Sequence, residues 1–364
     1  MFTLKTGFDI MANSIITSTG SYIPNITVTN DHFLNHEFYG EDGKRLDKPT
    51  AEIIQKFKEI TCIEERRYLS HDLNTSDMAF MAAETALEGT DKETLDYIIV
   101  AHNFGEVTVE NYKTEMLPAI ASRVKHSLRI KNPYTVAFDI PFGCPGWLHG
   151  VILSDYYIKS GDAKKCLVIG VETLSRVIDP HDMDSMIYAD GAGATLIEAT
   201  DQKNTGVLSH VTRSDTYNEA FLLRMGKSYN PRHSENDIFL KMDGHQIYKY
   251  AVKQVPDVVK QSLDKIGLTL TDVKKIFIHQ ANQKMDEAIL ARIFKLYKQK
   301  QVPESVMPMT IAKFGNSSVA TIPTMLDLVQ RKQLGDHRLN AGDVIVFASV
   351  GAGMNINSVV YRVP

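Results

Sequence analysis

The stretch from Ala137 to Gly150, "AFDIPFGCPGWLHG", sets a thiol at a corner of the chain. Cys144 follows an apolar, strand-like run and precedes Pro145, Gly146 and the single tryptophan, Trp147. Proline fits the first position of a helix, where its missing N–H costs nothing. The residue before it then stands at or beside the N-cap, where the helix dipole favours a thiolate and lowers the thiol pKa. This order of residues predicts a nucleophile on a strand-to-helix corner, with a helix from Pro145 to Lys159 stopped at Gly161. Core filling is the competing reading, because free cysteines are among the most buried residues. Cys166 lies inside the apolar run "KKCLVIGVE" and reads as core, and Cys62 has no comparable setting.

A nucleophilic thiol needs an acid or base and a place for an oxyanion. Among twelve histidines, His279 is set apart: it ends the apolar run "KKIFIHQAN", where a strand hands over to a helix. Ligands collect at such strand ends in α/β sheets, although a structural hydrogen-bonder is the commoner occupant. Asn316, in "KFGNSSVATIP", stands before a helix that begins near Ser317; it is either a plain N-cap or an amide donor to a carbonyl oxygen. Gly351-Ala352-Gly353 follows a buried strand, and small residues there leave backbone N–H groups open to an oxyanion or simply make a tight turn. "ADGAGATL", from Ala189, is its counterpart earlier in the chain; neither loop leads into a phosphate-binding helix.

The elements that carry these corners alternate between short apolar runs and longer amphipathic stretches, an α/β pattern. Strands are expected at Tyr97–Asn103, "YTVAFDI", Lys164–Glu172, "GATLIEA", Lys275–Gln280, Asp343–Val350 and "NSVVYRV", and a first one around Ser14–Thr17. Helices are expected at Thr75–Glu88, Pro145–Lys159, Ile247–Ile266, Asn282–Lys300 and Val319–Lys332. Two segments match at one offset: Gly89 falls on Gly267 and Cys166 on Val344, both 178 residues apart. A shared offset indicates a duplicated α/β unit, joined near the polar stretch Ala199–Gly206.

The 364 residues can bury one large core or two ordinary ones, and a net charge of −4 gives no electrostatic reason to expect nucleic acid or an anionic membrane. No apolar run approaches a membrane span, and the first twenty residues lack a secretory signal pattern. Three scattered cysteines provide neither a disulfide framework nor metal-ligand spacing, so a cytoplasmic setting is expected.

In their order along the chain, "STGSYIPNITVTN", "GCPGW", "DGAGATL", "HQAN", "FGNSSVATIP" and "GAGMNINSVV" resemble the thiolase superfamily, and most closely β-ketoacyl-ACP synthase III. The likeness spans nearly the whole chain. It implies an α/β thiolase-like fold of two duplicated halves, residues 11–203 and 204–364, with mixed five-stranded sheets sandwiching buried helices. It implies an acyltransferase without metal or redox cofactor, and a homodimer. An acyl group from an acyl-CoA or acyl-ACP donor would pass to Cys144. Malonyl-ACP would then lose CO2, and its enolate, held by His279 and Asn316, would attack the acyl-cysteine. The carbonyl oxygen of that acyl group would sit between the N–H groups of Cys144 and Ala352. Lys284 matches a position used for docking acyl carrier protein. The segment Asn103–Pro133, longer than in the family, would line the acyl tunnel and dimer contact with Met116 and Leu117.

Three positions depart from the family pattern. Lys56 stands where a tryptophan stacks on the adenine of coenzyme A, and Ile60 and Met183 stand where arginines are expected. Without a ring and two guanidiniums, nucleotide recognition should weaken. An acyl-ACP or an unusual acyl-CoA is therefore expected as donor rather than acetyl-CoA. The same losses favour, as an alternative, a specialised ketosynthase joining longer acyl or β-ketoacyl units, of the alkylresorcinol or olefin type. A non-catalytic partner subunit is disfavoured by the complete Cys144, His279 and Asn316 set. Papain-like hydrolysis differs in consuming no malonyl-ACP.

Overall fold

The computed structural model describes residues 12–109, 113–234 and 236–364. The expected start of the first half at residue 11, and the leading segment Met1–Ile10, lie outside the described residues, as do three positions of the segment 103–133. After β1 (Asn13–Tyr22), a ribbon of β2 (Ile26–Thr29) and β3 (Glu65–Tyr68) brackets α1 (Thr50–Thr61). Next come α2 (Thr75–Ala86), β4 (Tyr97–His102), a small ribbon of β5 (Glu106–Val107) and β6 (Thr114–Glu115), and α3 (Ile120–Ser127). β7 (Val136–Pro141), α4 (Gly146–Ser160), β8 (Lys165–Thr173) and β9 (Asp190–Thr200) follow. Beyond them lie β10 (Gly206–Ser214), the short α5 (Thr216–Glu219), a ribbon of β11 (Leu223–Lys227) and β12 (Ile238–Met242), and α6 (Gly244–Asp264). The chain ends with β13 (Val273–Ile278), α7 (Gln283–Leu296), the short α8 (Ile311–Phe314), α9 (Thr321–Gln330), β14 (Val344–Gly351) and β15 (Asn355–Arg362).

Two sheets organise these elements, in the orders β1-β9-β8-β4-β7 and β10-β15-β14-β13. Each mixes parallel and antiparallel pairs in the same places: β4 runs parallel to β8 as β13 does to β14, while β9 and β15 are antiparallel to both neighbours. The thiolase-like architecture is therefore present, with one difference in strand count. Among the described residues the second sheet has four strands rather than five. The segment beside β13 meets it through Ile276 N–H to Val306 O at 2.9 Å, but Pro303 and Pro308 flank that contact. Proline brings no N–H to a ladder, so the segment does not extend into a strand.

Between the sheets lie α4 and α9. Trp147, Leu148, Val151 and Ile152 of α4, with Ile322, Met325, Leu326 and Val329 of α9, pack against Val168 of β8, Phe277 of β13, and Ile345 and Phe347 of β14. Both helices are largely buried on both faces because each meets a sheet, and their buried Asp155 and Asp327 are hydrogen-bonded to Ser14 and Thr19. The outer faces are covered by α2 and α3 on the first sheet and by α6 and α7 on the second. At roughly 1.5–3 kcal/mol per fully buried large side chain, the central layer anchors the two corners that precede it. α4 ends at Gly161, whose φ of +81° makes it the left-handed cap expected from the sequence. Gly170 of β8 matters differently: a Cβ there would lie 2.4 Å from the Val319 carbonyl oxygen. Its bare backbone lets the turn Ser318–Ala320 press directly onto the sheet. No helix of the described residues is long and apolar enough to cross a membrane.

Candidate active site

Cys144 leaves β7 through a sharp corner. Gly143 holds φ at +70°, Pro145 is the N-cap at φ −73°, and α4 opens at Gly146, one residue later than the sequence suggests. The loop after β14 interlocks with this corner. A Cβ on Gly351 would lie 2.5 Å from the Cys144 nitrogen, and one on Gly143 would lie 2.8 Å from the Ala352 nitrogen. Only glycines allow two main chains to approach this closely. Cys144, His279, Asn316 and Ala352 all line one cavity of about 260 Å³. Four segments far apart in the sequence thus converge on one space.

The thiol itself is a correction. Its place before α4 suggested a lowered pKa, whereas burial pushes it up to about 11. The Ser318 hydroxyl, donating to Sγ at 3.2 Å, pulls the other way, and the negative charge of Glu172 adds to the rise. A helix N-terminus contributes roughly 0.3–1 kcal/mol to an anion, less than the loss of water around a sulfur enclosed by protein. Near neutral pH the resting side chain is a thiol.

His279 directly follows β13 and donates its N–H to Ala348 O at 3.0 Å. Its Nδ1 lies 2.8 Å from Thr321 Oγ1, leaving Nε2 as the nitrogen available to the cavity. Burial pushes the imidazole pKa down to about 4, so the ring is neutral at physiological pH. Asn316 is gripped through its main chain, N–H to Ile187 O and O to Ala189 N–H, both at 2.9 Å. Its Oδ1 accepts from Ser318 N–H at 2.8 Å, so the side chain has N–H groups to offer the cavity. Asn316 caps a local turn here, not α9, which begins at Thr321.

Three polar side chains beside the sulfur escaped the sequence reading: Ser318 against it, Asn103 just after β4, and the fully buried Glu172 near the end of β8. The strand-end rule that singled out His279 applies equally to Asn103 and Glu172. The remaining wall is mainly apolar and rich in thioethers, with Met225, Met242, Met285 and Met354 joined by Phe104 and Leu240, while Tyr188 and the charged Arg224 also line it. Lys284 is exposed on the first turn of α7, outside this wall. Met116 and Leu117 do not line the cavity of their own chain, contrary to expectation. They are 46% and 86% exposed, on the link between β6 and α3. Lys56 and Ile60 lie one turn apart on α1, exposed like Met183.

Comparison with known proteins agrees with this geometry. Residues 138–216 match the family model for 3-oxoacyl-[acyl-carrier-protein] synthase III, and residues 263–363 match its C-terminal model. The β-ketoacyl-[acyl-carrier-protein] synthase III of Bradyrhizobium diazoefficiens is 30% identical over 96% of this chain and 98% of its own. Synthase III 1 of Vibrio vulnificus is 31% identical over 96% and 99%. The chain belongs to the β-ketoacyl-ACP synthase III family. Among solved structures, the synthase III of Pseudomonas aeruginosa superposes with a TM-score of 0.78 at 28% identity, covering 97% of this chain and 98% of that one. The Aquifex aeolicus synthase III gives 0.77 at 27% identity, covering 96% and 99%. The OleA fold of Xanthomonas campestris is also similar, with a TM-score of 0.74 at 17% identity over 98% of this chain and all of that one. Like its synthase III relatives, this chain is a condensing, acyl-transferring enzyme.

Proposed function

We propose that this synthase III condenses an acyl thioester with malonyl-ACP, releasing CO2 and forming a 3-oxoacyl-ACP, with the residues of the shared cavity in the following roles. Cys144 attacks the donor carbonyl; its proton leaves with the departing carrier thiol, and an acyl-cysteine remains. The N–H groups of Cys144 and Ala352 receive the carbonyl oxygen as it becomes an oxyanion. His279 and Asn316 donate to the enolate oxygen formed when malonyl loses CO2. A histidine with a pKa near 4 suits that task in the tautomer whose proton is on Nε2: Nδ1 then accepts from the Thr321 hydroxyl, and the neutral Nε2–H stabilises an enolate without protonating it. The observation that carries the reading is the convergence of Cys144, His279, Asn316 and Ala352 on one cavity.

The donor is an acyl-ACP or an unusual acyl-CoA. Lys56, Ile60 and Met183 are all on the surface, where they present neither a stacking ring nor a guanidinium to a nucleotide. Lys284 supplies positive charge for an acidic carrier protein. The thioether-rich wall and the missing arginines also favour a specialised ketosynthase that takes longer acyl or β-ketoacyl units. The halves 11–203 and 204–364 are a duplicated pair, and the enzyme works as a cytoplasmic homodimer. β7 is an unpaired sheet edge, and beside it Tyr134, Val136 and Leu117 are 85%, 47% and 86% exposed, an apolar edge that a second copy would cover. Met116 and Leu117 would then reach the partner's acyl tunnel.

Intact-mass spectra after incubation with a panel of acyl-CoA and acyl-ACP species test the reading. Acyl-ACP adds one acyl group to the wild-type chain and none to Cys144→Ala, and malonyl-ACP then discharges it with CO2. A strong preference for acetyl-CoA sinks the donor assignment, and turnover without malonyl consumption sinks the condensation.

A further inference from the structure

Asn103, Ser318 and Glu172 form a line of hydrogen bonds that ends on the reacting sulfur. Asn103 donates its main-chain N–H to Glu172 Oε2 at 3.0 Å, and one hydrogen of its side-chain amide goes to the same oxygen. The amide's other hydrogen goes to Ser318 Oγ at 2.9 Å. A serine hydroxyl carries a single proton. With Oγ already accepting from Asn103, that proton is directed to Cys144 Sγ, 3.2 Å away. The backbone of Ser318 is unusual as well. Its φ is +51°, in the left-handed region that few residues other than glycine adopt, and Ser318 N–H to Asn316 Oδ1 at 2.8 Å helps hold it there. A strained residue whose side chain meets a reacting atom is where function is to be sought.

We propose that Ser318 is a catalytic hydrogen-bond donor to the Cys144 sulfur, and that Asn103, anchored on Glu172, is the positioning residue that keeps this donation pointing one way. The proposal deepens the reading of Cys144 as nucleophile and rests on it. As the thiol gives up its proton, charge gathers on Sγ, and a hydrogen bond to a charged acceptor is roughly twice as strong as one between neutral groups. The Ser318 hydroxyl therefore stabilises the attacking form more than the resting one, which is the condition for catalysis. After acylation the sulfur is a poor acceptor, and the hydroxyl is released. Other ionisable groups facing the sulfur are Glu172 from β8 and Tyr188 from the segment before β9, with His279 across the cavity. Glu172 acts in two opposed ways: its charge disfavours the thiolate through space, while its grip on Asn103 aims a donor at it.

The test is alkylation of Cys144 in the full chain by iodoacetamide and by N-ethylmaleimide, read by peptide mass between pH 8 and pH 10. Ser318→Ala lowers the rate about ten- to a hundredfold at each pH, the loss expected when a thiolate gives up one charge-assisted hydrogen bond. Asn103→Leu lowers it by a smaller factor, about three- to tenfold, because the hydroxyl remains but is free to turn. Both reagents lose the same factor, whereas altered access would penalise the bulkier maleimide more. Rates within twofold of wild type in both variants, or a loss confined to the maleimide, overturn the proposal. Should Ser318→Ala fail to fold, Asn103→Leu decides alone. Alkylation reads the thiol without any condensation. A slowed thiol in an enzyme that consumes no malonyl-ACP therefore sinks the functional reading, whereas normal condensation with unchanged alkylation sinks this one.

Discussion

His102 and His279 occupy one position in two sheets. Ala101 pairs with Gly170 across β4 and β8, and Ile278 pairs with Ala348 across β13 and β14; Gly170 and Ala348 are again 178 residues apart. Each histidine is the next residue. His102 is wholly buried and has both ring nitrogens engaged: Nδ1 accepts from Gly105 N–H at 2.9 Å, and Nε2 donates to Asp139 Oδ2 at 2.9 Å. That carboxylate also takes the N–H groups of Ile120 and Ala121 at 2.7 Å, so it closes the N-terminus of α3. His279 has one nitrogen on Thr321 and the other open to the cavity. A strand end supplies a histidine in both places, and the neighbours decide which one does chemistry. Asp139 on the adjacent strand ties down the first; among the described residues no carboxylate bonds the second.

The largest expected effect separates the two. His279→Ala keeps the acyl-cysteine mass increment but slows malonyl-dependent CO2 release about a hundredfold or more, the usual cost of losing an oxyanion donor. His102→Ala should leave that division of stages intact and lose about 1–3 kcal/mol of stability in denaturant unfolding, because Asp139 is left short of a buried partner. If His279→Ala fails to acylate, the comparison is broken.

A smaller effect sharpens it through Glu172, which lies near His102. Burial raises this carboxyl to about 7, although the nearby His102 and the Asn103 hydrogen bonds lower it. An acid whose pKa is higher in the folded than in the unfolded protein stabilises the fold most fully below the ordinary glutamate value. Its contribution fades as pH rises through the folded value. Between about pH 4.5 and 7, the wild-type unfolding midpoint should therefore decline, and Glu172→Gln should flatten that decline. An unchanged slope would mean that Glu172 is already ionised at acid pH.

The smallest effect concerns the helices beyond the two histidines. The α3 terminus is occupied by Asp139, whereas α7 is capped by Asn282, whose side chain accepts from Met285 N–H at 3.1 Å. Lys284 stands exposed beside that cap. Lys284→Glu should raise KM for malonyl-ACP a few-fold at low salt, with kcat unchanged and the difference shrinking as salt rises. An effect on kcat alone would remove Lys284 from docking.

Much of this was legible along the chain, for a physical reason. Cys144, His279 and Ala352 each stand just past an apolar, strand-like run and Asn316 stands just before a helical turn, and such punctuation is local. The 178-residue echo was legible too, since Gly89 and Gly267 both turn with positive φ just beyond a helix. What could not be read depends on partners far away in sequence. Asn103 meets Ser318 across 215 positions, and no periodicity encodes such a contact. The thiol was misjudged for the same reason: the helix that should favour a thiolate is visible in "GCPGW", while the enclosure that opposes it is built by β8, β14 and the turn at Ser318. The family resemblance implies that Met116 and Leu117 line a tunnel, yet a single copy leaves them in solvent.

The four thioethers around the cavity have a chemical consequence of their own. Oxidation of Met225, Met242, Met285 or Met354 to the sulfoxide would plant a strong dipole in the hydrocarbon path of the substrate. Cys144, held as a protonated thiol at rest, reacts slowly with peroxide. Under oxidative stress the apolar wall would therefore be altered before the nucleophile, and a methionine sulfoxide reductase, not a thiol reductant, would restore it.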